Sequence, residues 1–270
     1  MPAQVLIQPP PFLDLRQVTL AAVTSIAPQA TARAIIQSCR GISFGAVLWI
    51  SDMPPPVGLP PQTIWHRIEP ITTRGAYSQF VVHGLAALVE TEHVLLIQWD
   101  GYVLDPQQWR PDFLAYDYIG PVWPQFLTMN VGNGGFSLRS RRLLKICAQL
   151  PYVDDEAEDL FICRTMRQHL ENNHEIKFAP AEIACFFGYE RLRSHFNTFG
   201  FHGVFNLVEL TSDKEAASLL SELPLYSLSS GELRELLIWS FRRKRWRLTL
   251  ELIKRWRRWS LLVKAKLSFS

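Results

Sequence analysis

Near-continuous apolar runs separated by helical patterns organise the first hundred positions of the chain. VTLAAV at 18–23, AVLWI at 46–50 and VLLI at 94–97 read as strands buried on both faces of a mostly parallel sheet. Between the first two, residues 31–38 place Ala34, Ile35 and Ile36 as a helix supplies them, with Gly41 as its stop. Strand, helix and strand in succession form a βαβ unit with a right-handed crossover. Residues 53–61, MPPPVGLPP, predict a surface loop, because proline removes amide donors and disfavours helix in the residue before it. A third strand follows at 64–68, and YSQFVVHGLAALV at 77–89 predicts a second helix despite Gly84. Three βα units in a row predict an open α/β sheet with helices on both faces.

Ligands of such sheets bind at the carboxyl ends of the strands. That directs attention to Thr24 and Ser25, to Asp52, and to the segment Gln98, Trp99, Asp100 and Gly101. Asp100 is either a ligand-binding carboxylate or the opener of a turn with Gly101. No GxGxxG follows the first strand and no GxxxxGK[ST] occurs, which argues against a dinucleotide-dependent oxidoreductase and a P-loop NTPase. A nucleotide held with the help of a metal-bound carboxylate remains, and Asp100 is placed to supply it.

Farther on, Tyr116, Tyr118 and Trp123 offer flat faces to a sugar ring or pack around the Gly120–Pro121 step. In NVGNGGFSLR at 130–139, Gly132, Gly134 and Gly135 permit either close approach to a ligand or a tight turn. A basic helix is expected at 140–150. Asp154, Asp155 and Glu156 suit a helix N-terminus. Glu158 and Asp159 adjoin an apolar helical segment, where carboxylates are costly unless they bind or catalyse something.

With 270 residues, 48% of them hydrophobic and 20% charged, the chain can bury a substantial core, as one large domain or a domain with an appendage. The formal net charge of +3 conceals an asymmetry. From Gly231 onward there are 12 basic and 3 acidic residues, leaving 16 basic against 22 acidic before it. The four cysteines form no CxxC pair, so buried thiols in a reducing compartment are expected rather than a zinc site or a disulfide framework. The N-terminus lacks the pattern of a secretory signal, and no run reaches the ~18 apolar residues of a spanning helix, so a cytoplasmic location is expected. Three parts are expected: a main domain at 1–205, a connecting segment at 206–230 and a basic helical tail at 231–270.

Taken in order, QWDG at 98–101, GNGGFSLR at 132–139, EDLF at 158–161 and FGFHG at 199–203 resemble the GT-A fold of nucleotide-sugar-dependent glycosyltransferases. More narrowly, they resemble a family of bacterial glycosyltransferase-like proteins, over residues 15–205. The resemblance implies a GT-A-like open mixed sheet flanked by helices, with a Rossmann-like nucleotide-binding half. It implies transfer of a sugar from a nucleotide-sugar donor to a glycan or lipid-linked acceptor in bacterial surface polysaccharide assembly. Asp100 would bridge Mg²⁺ or Mn²⁺ to the donor diphosphate, with His202 as a further metal ligand or a phosphate contact. Thr24, Ser25 and Asp52 would face the nucleoside, and Gly134 and Gly135 would line the sugars. Asp159 would be the general base, with Glu158 as its alternate or as an acceptor ligand, and an in-line base of this kind favours inversion. The chain departs from the pattern at Gln98, where the metal motif usually carries a first aspartate. That departure keeps open a non-catalytic sugar- or nucleotide-binding module of the same fold.

The tail predicts one basic amphipathic helix. Phe241, Leu248, Leu252, Trp256, Trp259 and Val263 share a face, and Arg243, Arg247, Lys254 and Arg258 share another. That pattern describes a helix in an anionic membrane interface, with Trp246, Arg247, Trp256, Arg258 and Trp259 in contact and the protein held at the inner face of the cell membrane. The alternative is a helix packed on the acidic body. No nucleic-acid partner is expected, since the body carries no recognition motif.

Overall fold

The computed structural model describes residues 12–152, 156–191 and 197–267. The proline-rich lead-in at 8–11, Asp154 and Asp155, and the side chain of Val263 lie outside the described residues. The first half alternates as the apolar runs require: β1 (Leu13–Val23), α1 (Pro28–Ser38), β2 (Ile42–Ser51), β3 (Thr63–Arg67), α2 (Arg74–Gln79) and β4 (His93–Ile97). These four strands are parallel, and Leu20 of β1 sits opposite both Val47 and Leu95. The helix expected at 77–89 starts earlier, where Thr73 Oγ1 accepts the Ala76 amide at 3.1 Å. It then loosens into a π turn at Phe80–Gly84.

Next come β5 (Tyr102–Val103), β6 (Tyr118–Ile119) and β7 (Phe136–Ser140). The complete sheet has six strands in the order β3-β2-β1-β4-β7-β6. It is the open mixed α/β sheet flanked by helices that the sequence predicts. β4 is its pivot: buried along its whole length, it runs parallel to β1 on one edge and antiparallel to β7 on the other. The reversal brings the start of β7, and the glycine loop before it, to the edge where β1, β2 and β4 end. Gln98 N donates to Gly135 O at 3.0 Å across that junction.

Beyond β7 lie α3 (Arg141–Cys147), α4 (Glu158–Leu160), α5 (Arg167–His174), α6 (Ala181–Phe187), β8 (Gly188–Tyr189) and β9 (Gly200–Phe201). A second sheet of three strands, β5-β9-β8, carries the FGFHG segment back to Asp100.

The rest is helical: α7 (Val204–Leu210), α8 (Asp213–Glu222), α9 (Ser230–Arg242) and α10 (Trp246–Leu267). The single basic helix expected here is two helices, broken where Lys244 takes a left-handed conformation with φ +56°. Part of the apolar face is turned inward, while Phe241 stays exposed. Leu233, Leu236, Leu248 and Leu252 join the same core cluster as Leu20, Trp49 and Ile97 of the sheet, and Trp256 packs against it. The core therefore runs through both boundaries drawn at 205 and 230. Trp259 lies on Trp256 with ring centroids 5.9 Å apart, while Trp246, Arg247 and Arg258 are exposed. Arg255 is buried and caps the carbonyls of Leu220 and Leu223 at 2.8 Å. Among the described residues, no helix is long and apolar enough to cross a membrane.

Candidate active site

Asp100 lies buried in the turn that follows β4, closed where the Gly101 amide donates to Gln98 O at 3.1 Å, and its own carbonyl accepts the Gly203 amide at 3.0 Å. This stitch sets His202 beside it, with Nε2 3.3 Å from Asp100 Oδ1. The same nitrogen lies 3.3 Å from Gln98 Oε1, and the other ring nitrogen, Nδ1, lies 3.3 Å from Glu190 Oε1. Burial opposes a charge on the imidazole, but Asp100 and then Glu190 outweigh it, and the pKa is pushed up to about 10. Glu190 is held below the usual carboxylate range: burial works against this, and His202, Arg191 and Asn133 prevail.

The Asp100 Oδ1 atom is buried and has the His202 ring as its partner, an ion pair rather than a well-aligned hydrogen bond. Two ligand atoms on one octahedral ion at ~2.1 Å stand about 3 Å apart, so the Asp100–His202 spacing suits a shared divalent cation. Such a cation would have to displace the proton that Asp100 and Glu190 favour on the imidazole, and Glu190 on the far nitrogen would then orient the ligating ring. Among the described residues no three His, Cys, Asp or Glu side chains are grouped to hold a metal. An ion here would need donor phosphates and water to complete its shell, as Mg²⁺ commonly does. A cavity of about 100 Å³ opens at this point between Trp99, Asp100, Glu190, His202, Phe205 and Glu232. It is large enough to hold ordered water beside the carboxylates.

The glycine loop joins this cluster to the acidic pair. A Cβ on Gly135 would fall 1.9 Å from His202 Nε2, and one on Gly134 would fall 1.9 Å from Glu158 Oε1. Adjacent residues of one loop thus touch the two halves of the site, and only glycine allows both contacts. Asn133 shapes the loop from a positive φ of 79°, its Oδ1 accepting the amides of Gly135 at 3.0 Å and Phe136 at 3.3 Å.

Glu158 and Asp159 separate at this point. Glu158 is buried and ion-paired at 3.0 Å with Arg139, itself fully buried and bonded to Ser137 Oγ at 3.0 Å. Burial pushes the Glu158 carboxyl up against the opposing pull of Arg139. Asp159 is only half-buried, and its Oδ2 accepts the Gly134 amide at 2.9 Å. The carboxylate of Asp159 therefore sits on the glycine loop.

At the ends of β1 and β2 the hydroxyls shape turns. Thr24 Oγ1 accepts the Ala27 amide at 3.4 Å, and Ser25 Oγ accepts the Ile71 amide at 2.9 Å. Asp52 alone of the three carries a buried oxygen, Oδ1, with no hydrogen-bond partner. Sequence reasoning missed Glu190, Asn133 and Arg139. An arginine inside the apolar strand FSLRS was a signal that a buried carboxylate must exist to meet it. Nothing local distinguished Glu190.

The profile of the family described as Protein of unknown function (DUF5672) matches residues 64–202. The chain belongs to this family. The DUF5672 match runs from β3 to His202 and so takes in Asp100, the glycine loop, the acidic pair and Glu190. Comparison with curated proteins finds no match. Among solved structures, this DUF5672 chain is similar to a glycosyltransferase involved in the glycosylation of the major capsid of PBCV-1. That likeness has 10% identity and a TM-score of 0.44, and covers 68% of this chain and 91% of the other. It is also similar to a mannosyltransferase from Pyrobaculum calidifontis, in complex with GDP-Man and Mn²⁺, at 11% identity and a TM-score of 0.40. There it covers 62% of this chain and 55% of the other, about half of that protein's length.

Proposed function

We propose that this DUF5672 protein is a glycosyltransferase that moves a sugar from a nucleotide-sugar donor to a hydroxyl of a glycan or lipid-linked acceptor, with inversion. Its setting in this reading is bacterial surface polysaccharide assembly at the cytoplasmic face of the membrane. The observation that carries the proposal is the glycine loop, whose successive residues contact the Glu158–Asp159 pair and the His202–Asp100 pair.

In this reading Asp159, held by the Gly134 amide, takes the proton of the acceptor hydroxyl. The acceptor oxygen bonds to the anomeric carbon as the bond from that carbon to the donor diphosphate breaks. Asp100 and, once deprotonated, His202 would hold Mg²⁺ or Mn²⁺, which would supply compensation for the charge that develops on the departing nucleoside diphosphate. Asp52 offers its unpartnered oxygen to the nucleoside. Glu158 is a positioning residue: its ion pair with Arg139 fixes the start of α4, on which Asp159 stands.

The test is a thermal-shift screen of UDP, GDP, CMP and their sugars, with and without Mn²⁺, on wild type and Asp100→Ala. The expected result is a metal-dependent shift with one nucleotide that the variant loses; ligand at a hundredfold its Kd stabilises by ~2.7 kcal/mol. Absence of any shift under every condition would favour the sugar-binding module, for which Gln98 in place of the first aspartate speaks.

A further inference from the structure

The inward packing of α10 takes Trp256 out of the expected membrane face and leaves Phe241, Trp246 and Arg247 of it uncovered. We propose that the corner where α9 turns into α10 docks on an anionic phospholipid bilayer. Four large apolar side chains stand in solvent there: Ile238 is 42% exposed, Phe241 60%, Trp246 53% and Leu250 60%. The Phe241 and Trp246 rings meet edge to face across the turn with centroids 5.6 Å apart, so the two helices present one aromatic tip. Ile238 lies three residues before Phe241, and Leu250 four residues after Trp246, which extends that tip along each helix.

Cations surround the tip. Arg242, Arg243, Lys244 and Arg247 are all exposed, and none of them forms an ion pair among the described residues. Their neighbours Arg245 and Arg255 behave differently, turning inward to the carbonyls of Thr211 and Leu220. Folding thus employs two arginines of this region, lays Arg243 over the Trp239 ring at 5.5 Å, and leaves these cations exposed at the corner without a carboxylate partner. Charge complementarity selects the partner. A layer of lipid phosphates beside an apolar interior rewards both the cations and the projecting Trp, Phe and Leu, whereas a nucleic-acid backbone rewards the cations alone. Each cation near such a surface strengthens binding about fivefold. The inference stands on this surface and is independent of the chemistry proposed for the site.

The test is flotation of the full chain with vesicles of phosphatidylcholine alone and of phosphatidylcholine mixed with phosphatidylglycerol. The chain is expected to float only with the anionic vesicles. Phe241→Ser with Trp246→Ser is expected to weaken this about tenfold or more, and Arg242→Gln with Arg243→Gln and Lys244→Gln about a hundredfold. Both variants should keep the wild-type melting temperature, since the side chains changed are exposed. Failure of the wild-type chain to float with anionic vesicles would overturn the proposal. So would flotation that both variants retain, or retardation of nucleic acid without vesicle binding.

Discussion

Glu158 and Asp159 are adjacent carboxylates with opposite surroundings, and their replacements should separate cleanly. Removing the Glu158 side chain leaves Arg139 charged, fully buried and without its carboxylate partner. Loss of one partner from such a pair costs about 3–5 kcal/mol, so Glu158→Ala is expected to lower the urea midpoint severely. Asp159 is half-buried and holds one loop amide, so Asp159→Asn should melt near wild type while sugar transfer falls about 10²–10⁴-fold, the usual contribution of a general base. Full activity in Asp159→Asn would remove it as the base. The motif EDLF made Asp159 the base and Glu158 its alternate, without showing that Glu158 is bound to a buried arginine. What separates them is the arginine on β7 nineteen residues earlier in the chain, a tertiary fact that no local pattern carries.

The loop between β6 and β7 is the element on which the site depends. It was legible in part: the run of glycines marked a close approach, and the structure shows that the approaching groups are the protein's own Glu158 and His202. A methyl group at Gly135 would stand 1.9 Å from His202 Nε2, too close for any relaxation that leaves the imidazole in place. Gly135→Ala is therefore expected to destabilise by ~1–3 kcal/mol, the usual cost of overpacking. It should also abolish the nucleotide-induced thermal shift by displacing His202 from Asp100. A variant that retains the full shift would show that the loop has no part in seating the histidine. The strands were legible because burial on both faces writes itself as continuous apolar runs. The second helix was less so, since helical periodicity carries no sign of the π turn at Phe80–Gly84.

For the whole molecule, sequence periodicity joined two C-terminal helices into one and did not say what covers their apolar face. The spacing of Leu248, Leu252 and Trp256 was read correctly as one helical face, but an apolar face looks the same in sequence whether lipid or protein covers it. Arg255 was a further signal, a cation placed next to that apolar face, and it is buried against the carbonyls that end α8. The consequence is testable by truncation. A chain ending at residue 230 loses Leu233, Leu236, Leu248 and Leu252 from the core shared with the sheet. Four buried leucines are worth roughly 6–12 kcal/mol together, comparable to the ~5–15 kcal/mol by which a whole domain is stable. The truncated chain is expected to lose its cooperative melting transition in calorimetry. A transition at the wild-type temperature would make residues 231–270 a separable appendage, and it would return α9 and α10 to the role of a tail.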